Sequence, residues 1–347
     1  SYESKEPDTL FNFTKSGGFS RAVEMCNGVG ECRKNLTGTM CPSYMATRDE
    51  QHSTRGRANA LRSVLSGKLP SETFASKGLY EVMDLCLECK GCKAECPSNV
   101  DMAKIKYEFL YNYYKTNKMP LRSKIFSRVN ALNKLNSKIG PLYNFISSLP
   151  ITKWIADLLL GIDRRRSLPK INRITFPKWY EKHTSPNLNI TAQNQVVIFH
   201  DTFTDYNQVK VGIAAVNILE KAGYNVLLAE NVCCGRTMIS KGELSKAKDL
   251  AILNVEKLHP YAKQGIPIIG IEPSCILTLR DEYPELISDE KAQIVAQNTF
   301  LFDEFFSSLD LNQTQITFNS DTSSVLFQNH CHQKALVGSK SLQSCLE

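Results

Sequence analysis

Cysteine holds most of the chemistry this chain can perform, with twelve in 347 residues. Cys86-Leu87-Glu88-Cys89-Lys90-Gly91-Cys92-Lys93-Ala94-Glu95-Cys96-Pro97 reads C-x2-C-x2-C-x3-C-P. Thiolates at this spacing set three sulfurs around one cubane iron–sulfur cluster and turn the fourth toward another. The closing proline stops the chain from re-entering a helix at once. Structural zinc favours two C-x2-C pairs across a longer loop. The spacing therefore favours clusters over zinc and over unliganded thiols.

Ligands for a second cluster lie upstream. Cys26, Cys32 and Cys41-Pro42 fit the same template with one place blank, and Val29 stands in that place. Crossing-over of the fourth ligands predicts two sets. Cys86, Cys89, Cys92 and Cys41 make a four-thiolate site, cluster 1. Cys26, Cys32 and Cys96 make a three-thiolate site, cluster 2. Such a site holds a three-iron cluster, or a four-iron cluster whose last iron takes water or another oxygen ligand. The plainer alternative for Cys26 and Cys32 is a pair of ordinary buried thiols.

A third group lies further on. Cys233-Cys234-Gly235-Arg236, Glu272-Pro273-Ser274-Cys275 and His200-Asp201-Thr202 each follow a strand-like run. In parallel α/β sheets ligands collect at the carboxyl ends of strands, so three sulfurs and two carboxylates are expected on one rim. Gly235 would let backbone approach a bound group closely. The alternative is a pair of buried thiols and an unrelated Cys275.

Five segments must position these residues. Residues 1–20 read as a polar tether. Residues 21–115 alternate cysteine motifs with helical stretches, Ala58, Leu61, Val64 and Leu65 in one and Met102, Ile105, Phe109 and Leu110 in another. Ser98, Asn99 and Asp101 are the candidate caps of the latter. His52, Arg55 and Arg57 lie close to the cluster loops; they read as exposed helix charges, with tuning of the cluster potential by charge or hydrogen bonding as the alternative. Residues 116–190 form a basic helical linker broken by prolines. The face made by Ile151, Trp154, Ile155, Leu158, Leu159 and Leu160 reads as core packing against the cluster domain, with docking on a membrane surface as the alternative. Residues 191–319 alternate strands (from Val196, Tyr224 and Ile266) with helices, as in parallel β–α–β units. From 320 a second module begins. Val325 to Cys331 repeats the pattern of Val196 to Thr202, predicting a fourth strand at Val325–Gln328, and the chain stops before the module is complete. The start at Ser1, without a methionine, suggests a trimmed or processed chain.

Between Lys115 and Lys182 there are fifteen Lys/Arg against three acids, whereas the whole chain carries a formal net charge of +7. Such a segment suits an anionic lipid surface, an acidic protein partner or plain solvation. No nucleic-acid motif accompanies it. No apolar run is long enough to cross a bilayer. Cysteines grouped by ligand spacing point to a reducing compartment, so the expected location is cytoplasmic, with peripheral contact on the inner face of a membrane as an option.

These motifs carry a resemblance. The cysteine runs with the Cys-Cys-Gly module resemble the iron–sulfur subunit of glycolate oxidase. They are also similar to the C subunit of anaerobic glycerol-3-phosphate dehydrogenase and, more distantly, to the B subunit of heterodisulfide reductase. Cys26-Asn27-Gly28-Val29-Gly30-Glu31-Cys32 and Cys41-Pro42-Ser43-Tyr44-Met45-Ala46-Thr47-Arg48 look most like the C-terminal half of bacterial FAD-linked 2-hydroxyacid dehydrogenase fusions. The resemblance implies a helical two-cluster ferredoxin domain followed by a parallel-sheet α/β Cys-Cys-Gly module. Its function would be to accept electrons from a flavin that oxidises lactate, glycolate or 2-hydroxyglutarate. FAD would sit on a missing region or a partner, and a downstream acceptor would take the electrons. The fragment alone is then not expected to turn over substrate.

The Cys-Cys-Gly family's own thiolate pattern is matched by Cys233, Cys234 and Cys275. Thr202 and Glu272 stand where two further thiolates would be, and Cys331 matches the lone cysteine of a second copy. The rim is therefore expected to be a degraded metal site, holding at most a single ion through the three sulfurs with Glu272 or Asp201. Two other readings stay open: thiol–disulfide catalysis at Cys233-Cys234, with Arg236 as cationic aid, and a zinc-organised binding protein.

Overall fold

In the computed structural model, which describes residues 4–34, 37–185, 194–317 and 324–347, helices start where the sequence offers caps. Ser53 accepts from the Gly56 amide and opens α3 (Thr54–Leu65). Asp101 accepts from the Lys104 amide and opens α6 (Met102–Thr116). Each side chain satisfies an amide that has no partner inside its helix. The chain divides into two units. One comprises Ser1–Met119, Met238–Lys246 and Gln328–Ser339; the other comprises Pro120–Thr237, Ala247–Phe327 and Lys340–Glu347.

The first unit is helical, with α1 (Phe19–Glu24), α2 (Pro42–Thr47), α4 (Lys77–Asp84) and α5 (Gly91–Glu95) beside α3 and α6. The apolar stripes seen in sequence are its core: Ala58, Leu61, Val64 and Leu65 of α3 and Met102, Ile105, Phe109 and Leu110 of α6 are buried. Residues 4–20, expected to be a tether, instead pack into this core. Phe11, Phe13 and Phe19 are buried, and the Leu10 and Phe11 amides donate to Glu108 of α6 at 2.7 and 2.5 Å. The three phenylalanines supply the apolar surface that a solvated tether lacks.

The second unit opens with α7 (Leu121–Ser127), α8 (Val129–Asn136), α9 (Gly140–Ser148), α10 (Pro150–Leu160) and α11 (Phe176–Tyr180). The apolar face of α10 is not core. No residue of this helix is buried, and Trp154, Leu158 and Leu159 are 49%, 67% and 62% exposed. Within its own unit that face is left uncovered.

Beyond it, β1 (Gln195–Phe199), β2 (Asn225–Leu228), β3 (Ile268–Gly270) and β4 (Thr299–Leu301) form one parallel sheet in the order β2-β1-β3-β4. Val196 stands opposite Val226, and Ile198 opposite Ile269. Val196 and Ile198 are fully buried with Phe176 of α11, as continuous apolar strands of parallel sheets usually are. The intervening helices are α12 (Thr202–Tyr206), α13 (Val209–Lys221), α14 (Arg236–Ser240), α15 (Leu244–Lys263), α16 (Pro273–Asp281), α17 (Tyr283–Ile287) and α18 (Glu290–Gln297), with α19 (Phe302–Ser307) after β4.

The fourth strand is not where the sequence pattern places it. Val325–Gln328 is irregular, with Val325 and Leu326 exposed, whereas Thr299 and Leu301 are buried and pair with β3. A β-prone run without a neighbour to pair with gains nothing from extending. The chain closes with α20 (Cys331–Leu336), part of the first unit, and α21 (Lys340–Leu346), part of the second.

Candidate metal centre

Cys86 and Cys89 sit on a loop that turns twice through left-handed backbone, at Glu88 (φ 56°) and Lys90 (φ 58°), and leads to Cys92 in α5. Non-glycine residues rarely adopt that conformation, and here it folds the loop around a cavity. With Cys41, which caps α2 ahead of Pro42, the three cysteines line a cavity that also touches Thr54, Arg57 and Lys90. Backbone amides of Glu88, Gly91 and Met102 donate to the sulfurs of Cys86, Cys89 and Cys92 respectively. Burial pushes these thiols up, Cys89 to about 11 and Cys92 well above its usual range. A metal must therefore displace protons to bind here.

Cys26, Cys32 and Cys96 line a second cavity together with Val29, Gly30, Arg55 and Val100. Met40 and Thr54 line both cavities. The Arg55 amide donates to Cys32 Sγ at 3.3 Å, and Arg62 Nη2 donates to the Cys26 carbonyl at 2.6 Å. Val29 stands at this cavity and is 58% exposed. The structure thus brings together the two sets read from spacing, with Cys41 and Cys96 exchanged between the motifs.

Arg57, an exposed charge on the sequence reading, is fully buried. Its Nε donates to the Val82 carbonyl at 3.0 Å, its Nη2 to Ser43 Oγ at 3.0 Å, and its Nη1 points at Cys41 Sγ at 3.5 Å. Among the described residues no carboxylate pairs with it. A buried cation without a counter-ion is costly, so the cavity beside it suits an anionic occupant. An iron–sulfur core with four thiolates is a net anion, and the residues present fit it. His52 is only partly exposed, with its ring nitrogen 3.0 Å from Thr47 Oγ1. Two further contacts on the cluster 1 loop escape a reading of the sequence. Lys106 pairs with Glu88 at 3.1 Å, both buried, and also donates to the Cys86 carbonyl at 2.7 Å. His332 of α20 places Nε2 2.8 Å from the Glu88 carbonyl. Cys331 beside it is exposed, yet close enough to Cys89 to affect its thiol electrostatically.

The rim gathers its five residues as expected. Cys233, Cys234 and Cys275 form a chain of thiol hydrogen bonds. Thr202 Oγ1 lies 3.9 Å from Cys233 Sγ. The carboxylates, however, are committed elsewhere. Asp201 caps α12, accepting from the Phe203 and Thr204 amides. Glu272 caps α16, accepting from the Cys275 amide at 2.6 Å. Burial, reinforced by Glu272, pushes Asp201 up to about 6. Gly235 has a left-handed φ of 77°, and a Cβ there would press on Ala247 at 3.4 Å, so its role is conformational. Among the described residues, no three His, Cys, Asp or Glu side chains are grouped tightly enough to hold a single ion; the cysteines of the first unit surround cavities instead.

Thiol–disulfide catalysis at Cys233-Cys234 is not supported. It needs a low-pKa, accessible thiolate, but the hydrogen bond with Cys234 and then burial push Cys233 well above its usual range. Arg236, the supposed cationic aid, is itself buried and paired with Glu282 at 2.5 Å.

Comparison with known proteins agrees with this partition. Residues 22–100 match the family of 4Fe-4S dicluster domains, and residues 197–280 match the family of cysteine-rich domains. The chain is 26% identical over 355 residues to D-2-hydroxyglutarate dehydrogenase of Escherichia coli (strain K12), covering 90% of this chain and 34% of that one. It is 33% identical over 177 residues to the C subunit of anaerobic glycerol-3-phosphate dehydrogenase from the same strain, covering 50% and 44%. It is 23% identical over 317 residues to the probable glycolate oxidase iron–sulfur subunit of Bacillus subtilis (strain 168), covering 86% and 69%. The chain thus spans about a third of the length of the curated dehydrogenases it matches. No solved structure matches it significantly. It carries a 4Fe-4S dicluster domain and a cysteine-rich domain, and is an iron–sulfur electron-transfer region related to these oxidoreductases.

Proposed function

We propose that this chain is the electron-transfer region of an FAD-linked 2-hydroxyacid dehydrogenase. Cys41, Cys86, Cys89 and Cys92 hold one cubane cluster, and Cys26, Cys32 and Cys96 hold a second with an incomplete thiolate set. The observation that carries the reading is the pair of separate thiol-lined cavities in one helical unit. Clusters bound there supply one-electron transfer. The residues supply thiolates, amide donors to sulfur and a buried guanidinium. Hydride removal from a hydroxyacid needs a flavin or nicotinamide, which a partner or a further region provides. The substrate class, of the lactate, glycolate and 2-hydroxyglutarate kind, follows from the relatives. The rim of Cys233, Cys234, Cys275, Glu272 and Asp201 is a degraded metal site in this reading. Residues 21–115 are the cluster domain, 116–190 a basic segment, 191–319 the first α/β module and 320–347 the start of another. The boundaries at 190/191 and 319/320 lie outside the described residues.

The test is iron and sulfide analysis of anaerobically purified protein, with electron paramagnetic resonance of oxidised and reduced samples. Cluster reduction by D-lactate, glycolate or 2-hydroxyglutarate should require added flavoprotein. A colourless protein without sulfide, or turnover by the isolated chain, overturns the assignment.

A peripheral contact with an anionic bilayer on the cytoplasmic side is favoured by the second unit. No described helix is long and apolar enough to cross a membrane. The face of α7–α10 nevertheless exposes Leu135, Phe145, Ile151, Trp154, Leu158 and Leu159. Arg164, Arg165 and Arg166 follow, within a segment poor in acids. Apolar side chains with a basic flank suit an anionic interface. Vesicles containing phosphatidylserine should sediment the protein at low salt, and a Trp154→Ser/Leu158→Ser variant should stay in the supernatant. Equal binding to neutral vesicles, or a face buried by the flavoprotein instead, overturns the contact.

A further inference from the structure

We propose that Arg57 sets the reduction potential of cluster 1, acting through its ligand Cys41. This rests on the reading that Cys41, Cys86, Cys89 and Cys92 hold a cubane cluster. Two of the buried cations around that cavity differ in what holds them. Lys106, whose ammonium reaches the Cys86 carbonyl, is neutralised by Glu88 at 3.1 Å. Among the described residues Arg57 has only neutral acceptors: the Val82 carbonyl, Ser43 Oγ and Cys41 Sγ. Ser43 is itself fixed, because its hydroxyl donates to the His52 carbonyl at 2.8 Å. Three fixed acceptors thus aim one planar guanidinium at one sulfur, a geometry the freer lysine ammonium cannot reproduce.

Reduction adds one electron and one negative charge to the cluster, and no bond need form or break. A positive charge held against a ligand sulfur favours the more negative state, so it raises the potential. Net charge and hydrogen bonds to the sulfurs are among the main determinants of cluster potentials. Burial strengthens the effect, because charges in the interior are poorly screened. At the second ligand set Arg62 reaches the Cys26 carbonyl, at 2.6 Å, and not a sulfur. Arg55, which lines the second cavity, is partly exposed and spends its Nε on Glu50 at 2.7 Å. Arg57 is therefore a positioning residue that makes cluster 1 easier to reduce than its thiolate set alone would.

The test is a redox titration of the full chain, purified anaerobically, followed by electron paramagnetic resonance. Wild type, Arg57→Gln and Arg57→Lys are first assayed for iron and sulfide. Absence of a four-iron cluster from wild type defeats the underlying assignment, not the tuning. With clusters present, Arg57→Gln should lower the reduced-to-oxidised ratio of cluster 1 about tenfold at fixed poise, which is 59 mV for one electron. Cluster 2 should not move. Arg57→Lys, which keeps the charge but loses the fork, should fall in between. A potential unchanged in Arg57→Gln, or both clusters shifting equally, overturns the proposal. Should Arg57→Gln fail to load, wild type grown on guanidinium-labelled arginine decides. Pulsed resonance of reduced cluster 1 must then show coupling to the labelled nitrogen, and absence of that coupling rejects the contact.

Discussion

Replacing Glu108 with glutamine should make the N-terminal segment more tightly held above neutral pH and leave it unchanged in acid. Glu108 is fully buried in α6 and accepts from the Leu10 and Phe11 amides through Oε1, while its Oε2 has no partner. Burial pushes its carboxyl from the usual 4.5 up to about 7, against the two amides and the nearby Lys104 and Lys115, which favour the charged form. Both lysines are diverted. Lys104 donates to the Asn12 carbonyl, and Lys115 to Asn112. Below pH 4.5 the folded and unfolded chains both keep the proton, and the contact is at full strength. As pH rises from 4.5 to 7 only the unfolded chain releases it, so stability falls, and above 7 the loss levels off. That gap, at 1.36 kcal/mol per pH unit, is worth about 3 kcal/mol. Glutamine keeps the acceptor and does not titrate. Hydrogen exchange at the Leu10 and Phe11 amides, corrected for intrinsic rates, should show protection about a hundredfold greater in Glu108→Gln at pH 8 and equal near pH 4.5, since each 1.4 kcal/mol is tenfold. Parallel pH profiles in the two proteins, or weaker protection in the variant at pH 8, would refute the argument.

Air exposure should convert cluster 2 to a three-iron signal, because Val29 leaves one iron without a sulfur; Val29→Cys should restore four-iron behaviour, and an unchanged spectrum sinks the ligand set. Chelation or Cys89→Ser should open residues 21–115 to protease while the α/β sheet of the second unit persists, since metal supplies much of the order in such loops; equal resistance with and without iron rejects this. His332→Ala removes the contact at the Glu88 turn, worth about 1 kcal/mol, and should speed iron loss to a chelator several-fold from cluster 1 alone. Alkylation followed by mass spectrometry should label exposed Cys331 well before Cys233, and comparable rates would return thiol chemistry to the rim.

The cysteine sets, the first three strands and the helical stripes were legible because each is a local pattern: ligand spacing, a short apolar run, a 3.6-residue period. What escaped had a different origin. Arg57 lies four residues before Leu61 and seven before Val64, on the buried stripe of α3. A charge on an apolar face was thus visible in the sequence, and its lack of a counter-ion was the missing half. Phe11, Phe13 and Phe19 were equally visible within a stretch that reads as polar. The strand at Thr299–Leu301 and the failure of Val325–Gln328 to form one are tertiary outcomes, since either run extends only if a neighbour offers a paired edge. The exposure of the α10 face belongs to the same class. Helical spacing tells which side chains share a face, not what covers it.

The two sulfur-rich regions also separate on charge, which spacing alone does not reveal. In the first unit, amides point at Cys86, Cys89, Cys92 and Cys32, and a guanidinium with no counter-ion among the described residues stands beside Cys41. Every one of these groups favours negative charge on sulfur. The rim differs in its cation. The Arg236 amide donates to Cys234 Sγ at 3.5 Å, but its guanidinium is taken by Glu282; against the hydrogen bond from Cys234, burial and then Glu272 and Asp201 oppose ionisation of Cys275. An anionic cluster would be repelled there, whereas a divalent cation would be attracted once the helix caps released a carboxylate. Releasing a cap costs about 1 kcal/mol, far less than the roughly 10–16 kcal/mol typical of structural zinc. Zinc that binds at the rim should therefore do so only with loss of the Cys275 amide's protection against hydrogen exchange. A non-cubane cluster located at the rim by anomalous scattering would show that the two carboxylates do not govern the site.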